Sequence, residues 1–188
     1  MLWRLIDRIT ILEPGRRACG RASTDFPADL FAEHFPSFPV TPGVLLVEMC
    51  AQLSARLLEA TIWEQRGHWS FSTLVMIRDA KFRVFVPPGS VLDVETEIEE
   101  LRPESMMFRA QVLNAGRRCA NVRVVFAFDP EGRAPHGDAA RLEAYTRGEF
   151  ERCRSPWIPS REPVLAPDRG VLAPTRSVLA PTPDAGAS

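Results

Sequence analysis

The run from Val44 to Trp63 constrains this chain more than any other segment. Its apolar residues (Leu45, Leu46, Val47, Met49, Leu53, Leu57, Leu58 and Ile62) fall on nearly every face of a helix. A helix of that kind has to be surrounded rather than laid on a surface. Thr41 stands where an N-cap is expected, and Pro42 suits a first helical position. The rest of the chain up to about residue 130 must therefore supply a wrapping for one helix.

The flanking patterns read as strands. Leu5–Leu12 is one, and Glu13-Pro14-Gly15 turns it into a second that runs through Ser23. Ser70–Val86 is rich in aromatic and β-branched residues and is broken by Pro87-Pro88-Gly89. Val91–Glu99 alternates, with Leu92, Val94 and Ile98 on one side and Asp93, Glu95, Glu97 and Glu99 on the other. That period of two marks a strand with one dry face and one wet face, so the acidic run reads as solvated sheet surface. Met107–Leu113 and Asn121–Phe128 follow, the latter with Val122, Val124, Phe126 and Phe128 on one face. A mostly antiparallel sheet curled around a single helix satisfies all these dry faces, which makes the chain α+β.

Residues 1–130 form this domain. Residues 131–154 are an extension in which Leu142, Tyr145 and Phe150 line one side of a short helix. Residues 155–188 are Pro-rich and repeat Val-Leu-Ala-Pro at 164, 171 and 178. Proline in each copy forbids a continuous helix or ladder, and a disordered tail is expected.

Composition narrows the function. Of 188 residues 45% are hydrophobic and 25% charged, and the net charge is −1. With no Lys/Arg-rich run, nucleic acid is not an expected partner. No stretch approaches the ~18 charge-free apolar residues of a membrane span. The first residues lack the order of a signal peptide, so a cytoplasmic location is expected. Cys19, Cys50, Cys119 and Cys153 have no metal-ligand spacing and read as free thiols, and no metal or organic cofactor is expected.

Three residues near the helix start stand apart from packing logic. His34 lies in a loop stiffened by Pro36, Pro39 and Pro42, which would hold an imidazole in place for acid–base work. Glu48 falls about two turns into the apolar helix, where burial would favour its protonated form. It also fits a narrow polar stripe with Gln52, Arg56 and Glu59, and both readings stand on spacing alone. Gly43 offers a backbone N–H at the positive end of the helix and leaves room for close approach. Together they suit removal of a proton beside a carbonyl followed by loss of a β-hydroxyl.

The segment His34-Phe35-Pro36-x-x-Pro39-Val40-x-Pro42-Gly43-Val44-Leu45-x-x-Glu48-x-x-Ala51-Gln52 resembles the signature of the β-hydroxyacyl-ACP dehydratases of the FabZ/FabA type. The likeness continues through Ile77-Arg78-Asp79-Ala80-Lys81-Phe82-Arg83 and Val86-x-Pro88-Gly89, and covers roughly residues 3 to 130. It implies a hot-dog fold and a homodimer whose active sites combine His34 of one subunit with Glu48 of the other. By the same carry-over His34 removes the C2 proton, Glu48 protonates the departing hydroxyl, Gly43 N–H polarises the thioester carbonyl and Gln52 orients Glu48. It further implies a phosphopantetheine thioester on acyl carrier protein as substrate, and a fatty-acid or polyketide-like setting. Arg78, Lys81 and Arg83 are the candidates to meet that acidic partner, or else solvated strand charges.

The sequence departs from the family at Glu33, Ser37 and Thr41. Glu33 either places an anion beside His34 or faces outward, and Ser37 gives the loop less freedom than glycine. Three alternatives share the fold: a thioesterase using Glu48 to activate water, a non-catalytic acyl-binding subunit, and an enoyl isomerase. The His34–Glu48 pair weighs against the first two. Glutamate at 48, where related bifunctional enzymes carry aspartate, weighs against the third.

Overall fold

The computed structural model describes residues 4–32, 34–35, 37–132 and 139–154. Six antiparallel strands form one sheet: β1 (Arg8–Glu13), β2 (Arg17–Ser23), β3 (Ser72–Phe82), β4 (Val91–Leu101), β5 (Ser105–Asn114) and β6 (Arg117–Phe128). The order across the sheet is β1-β2-β4-β5-β6-β3. Helix α1 (Ala28–Ala32) and helix α2 (Gly43–Arg66) lie between β2 and β3, and α3 (Ala139–Cys153) follows β6. The sheet wraps α2, which touches every strand. This is the expected α+β hot-dog architecture.

Helix α2 is buried as its composition requires. Leu45, Met49, Leu53, Leu57, Leu58 and Ile62 are enclosed, meeting Leu92 and Val94 of β4, Phe108 and Val112 of β5, and Val122 and Val124 of β6 in one core. Each such side chain is worth about 1.5–3 kcal/mol on burial. The helix stops where Gly67 takes a left-handed φ of 70° and its N–H closes on the Trp63 carbonyl. Between helix and sheet, Ser54 Oγ and Thr96 Oγ1 satisfy each other at 2.7 Å in an otherwise apolar contact of α2 with β4.

The acidic run of β4 faces solvent, as expected, and is matched by cations. Glu97 and Glu99 pair with Arg109 of β5, and Glu99 also meets Arg123 of β6. Cys19, Cys50, Cys119 and Cys153 are all free thiols, and only Cys19 is less than fully buried. Among the described residues, no cluster of His, Cys, Asp and Glu has the makings of a metal site, and no helix is long and apolar enough to cross a membrane.

Several expectations need correction. Pro42, not Thr41, occupies the N-cap position of α2, with no side-chain cap. Thr41 is buried with its backbone N–H on the Val86 carbonyl, tying the loop to the far end of β3's connection. Leu5 and Ile6 are buried but precede β1, because the Leu5 amide is used elsewhere. Helix α1 was not expected; it is five residues long. In α3 the buried face is Thr146, Phe150 and Cys153, spaced four and three apart, while Tyr145 points to solvent at 61% exposure. The Val-Leu-Ala-Pro repeats lie outside the described residues.

Candidate active site

The loop between α1 and α2 holds His34 at three points. Its backbone N–H donates to the Phe31 carbonyl at 3.1 Å, and its own carbonyl accepts from Val40 N–H at 3.1 Å. Its Nδ1 lies 3.0 Å from the Val40 carbonyl oxygen. A carbonyl can only accept, so Nδ1 carries hydrogen, and in the neutral ring Nε2 is left with its lone pair. The imidazole is half-buried, and its ring stacks on Phe35 with centroids 4.7 Å apart. Glu33 and Pro36 lie outside the described residues; Ser37 is exposed.

Glu48 sits on α2, one turn before Gln52. Gln52 Nε2 donates to Glu48 Oε1 at 3.0 Å, and Gln52 Oε1 accepts the Leu5 backbone N–H at 2.9 Å. The Leu5 donor fixes which end of the amide is oxygen, so the NH2 group has to face the carboxylate. Of the two readings of Glu48, as a buried acid or as part of a polar stripe with Gln52, Arg56 and Glu59, the single chain leaves the side chain half-buried.

The enclosed acid on the stripe is Glu59, at 2% exposure. Burial pushes its carboxyl up to about 7, against the opposing pull of Arg56. Arg56 Nη1 donates to Glu59 Oε2 at 2.7 Å and to the Thr146 carbonyl of α3 at 3.0 Å. The reason for the reversal is distant in sequence, since α3 covers the second half of the stripe and leaves the first half open.

Gly43 opens α2, and no side chain caps that first turn. Backbone N–H groups there point along the axis with the positive end of the dipole. A Cβ on Gly43 would stand 2.9 Å from Cε1 of Phe82, closer than carbon atoms tolerate. The glycine therefore serves close packing of the Phe82 ring, a partner spacing could not show. Phe82 ends β3 and is half exposed, as are Phe35, Phe38 and Phe85. Phe38 meets Phe85 edge-on at 5.8 Å. An apolar rim thus flanks the start of α2.

Arg78 and Lys81 lie on β3 and Arg83 directly follows it, all three exposed. Arg78 reaches the Met107 sulfur at 3.6 Å, and Arg83 donates to Asn121 Oδ1 at 3.1 Å. Both contacts run to other strands of the sheet, to β5 from Arg78 and to β6 from Arg83. The residues that sequence reasoning missed are Val40, whose carbonyl selects the His34 tautomer, and Leu5, whose amide aims Gln52. Both act through the backbone and carry no side-chain signal.

Comparison with known proteins points one way. The family model described as the FabA-like domain matches residues 1–123. Relatives named 3-hydroxyacyl-[acyl-carrier-protein] dehydratase FabZ include that of Clostridium acetobutylicum, 31% identical over 65% of this chain and 84% of its own. That of Clostridium novyi is 36% identical over the same shares. Among solved structures, the dehydratase heterocomplex ApeI:P from Xenorhabdus doucetiae aligns with a TM-score of 0.55 at 15% identity, covering 77% of this chain and 89% of the other. A hypothetical thioesterase with coenzyme A from Streptococcus pneumoniae aligns at 0.51 and 10% identity, covering 65% and 84%. At such identities the structures share the fold alone.

Proposed function

The chain belongs to the FabA-like family, and from that premise we propose how its residues dehydrate a 3-hydroxyacyl thioester borne by acyl carrier protein. The product is the 2-enoyl thioester. The observation that carries the residue assignment is the relay in which Leu5 N–H fixes Gln52 and Gln52 fixes Glu48. A merely solvated glutamate has no need of a pre-aimed amide.

His34 Nε2 takes the C2 proton with its lone pair. The C–H electrons move into an enolate whose oxygen is met by the Gly43 N–H at the helix start. When the carbonyl re-forms, C2=C3 closes and the C3–O bond breaks. The leaving hydroxyl takes the proton of the Glu48 carboxyl and departs as water. His34 now holds a proton and Glu48 has lost one, so return of that proton from His34 to Glu48 resets the site.

We place the two groups of one site on different subunits of a homodimer. Among the described residues, edge strand β3 pairs only with β6, and it exposes Val75, Met76, Ile77 and Phe82. An open apolar edge of this kind invites pairing with another chain. Arg78 and Lys81 on the same strand and Arg83 just after it supply basic surface for the acidic carrier protein. Neutralising all three together should raise KM for the carrier-borne substrate and leave kcat in place.

The test is turnover of a short 3-hydroxyacyl-ACP by the wild type, His34→Ala and Glu48→Gln. Each variant should lose ~10²-fold or more. Refolding the two inactive variants together should then restore about a quarter of wild-type activity, since half the dimers are mixed and each has one intact site. Full activity in either variant refutes the assignment, and failure to complement refutes the shared site.

A further inference from the structure

Helix α3 lies beyond residue 123, where the family match ends. Its inner face docks on the end of α2. Thr146 Oγ1 accepts from Trp69 Nε1 at 2.8 Å, the Thr146 carbonyl accepts from Arg56 at 3.0 Å, and Phe150 meets the Trp69 ring edge-on at 5.3 Å. Those contacts alone would make it a cover over apolar surface.

A second set of contacts runs to the N-terminal segment. Arg4 Nη2 lies 2.6 Å from Glu149 Oε1, and Glu149 Oε2 lies 3.3 Å from Arg152 Nε. Arg152 Nη2 donates to the Ile6 carbonyl at 3.3 Å, and the Cys153 thiol approaches the same oxygen at 3.6 Å. Arg154 then bridges to Ile9 alongside β1. Residues 4, 6 and 9 are thus all held by one end of α3. Leu5 lies between two of them, and its N–H is the donor that fixes Gln52.

We infer that α3 is a positioning element for the Glu48 carboxyl, with Glu149 as its key positioning residue acting through Arg4, Arg152, the Leu5 amide and Gln52. The inference rests on the reading of Glu48 as the catalytic acid. Its logic is geometric: the Leu5 N–H has one angle at which it can hold Gln52 Oε1 and leave the NH2 group on Glu48. A shift of the segment rotates the amide, and loss of alignment of about 1 Å costs rate steeply. The Arg4–Glu149 pair is partly exposed, so it adds little to stability. Its disruption should therefore show in kcat before it shows in melting.

The experiment is a double-mutant cycle in the full-length chain between Glu149→Gln and Gln52→Ala, with Arg4→Gln as a second route to the same break. Glu149→Gln and Arg4→Gln should each lower kcat on the order of tenfold, with KM and melting midpoint close to wild type. In the Gln52→Ala background, which loses more by itself, Glu149→Gln should cost nothing further, because the relay is already cut. Wild-type kcat in both single variants, or losses that multiply in the double variant, would overturn the inference. Glu48→Gln runs in the same assay. If it is inactive while Glu149→Gln is fully active, only the positioning role falls. If Glu48→Gln itself turns over normally, the assignment beneath it falls as well.

Discussion

Nδ1 of His34 lies 3.0 Å from the carbonyl oxygen of Val40, six residues further along the same loop. That contact settles which ring nitrogen can act as base, because the carbonyl has no hydrogen to give. The neutral ring should therefore be the Nδ1–H tautomer. Two-bond proton–nitrogen spectra of the ring at alkaline pH should show Nδ1 protonated and Nε2 bare, and the opposite pattern would remove His34 Nε2 as the proton acceptor.

Gly43 and Phe82 make a second checkable pair. The methyl of Gly43→Ala would meet Phe82 Cε1 at 2.9 Å. The ring has to move, and the start of α2 with it. Overpacking of this kind costs about 1–3 kcal/mol, and dehydration should fall on the order of 10²-fold with the shifted N–H. Adding Phe82→Ala should return most of the stability. A Gly43→Ala variant that melts and turns over like the wild type would show that the ring yields freely and that Gly43 is not required there.

Glu59 sets a pH dependence whose sign can be worked out. Its carboxyl is pushed up from the ordinary 4.5 to about 7 by burial. Between those values the folded protein keeps a proton that the unfolded chain has released. The contribution to stability is therefore complete below about pH 4.5, declines as pH rises through the interval, and has gone by about pH 7. Glu59→Gln cannot ionise, so it should flatten this part of the curve. Urea midpoints measured from about pH 5 to about pH 8 would check it: an unchanged slope in the variant assigns the dependence to other groups.

Much of the architecture was legible because it rests on short-range periodicity. The apolar residues of α2 fall on nearly every face of the helix, and β4 alternates residue by residue between core and charge. What stayed hidden was decided by residues far apart. Glu48 and Glu59 share one stripe of α2, yet only Glu59 is enclosed, because α3 arrives from some ninety positions later to cover it. The cap of α2 falls one residue later than expected, at Pro42, while the Thr41 backbone N–H is bonded to the Val86 carbonyl. Helix α1, at five residues, is too short to impose a period. The spacing of Glu48 and Gln52 put them on one face; only the position of Leu5 decided which way the amide turned.

Because α2 touches all six strands, no part of the sheet owns a separate core. A change of volume at Leu53 or Leu57 is felt on every side, and the interior has no corner that can be remodelled alone. Freedom to diversify is left to what lies around the helix rather than against it: the loop before α2, the open margin of β3, and an appended C-terminal helix. Among those margins a scaffold of this kind can acquire a new preference or a new control without renegotiating its interior.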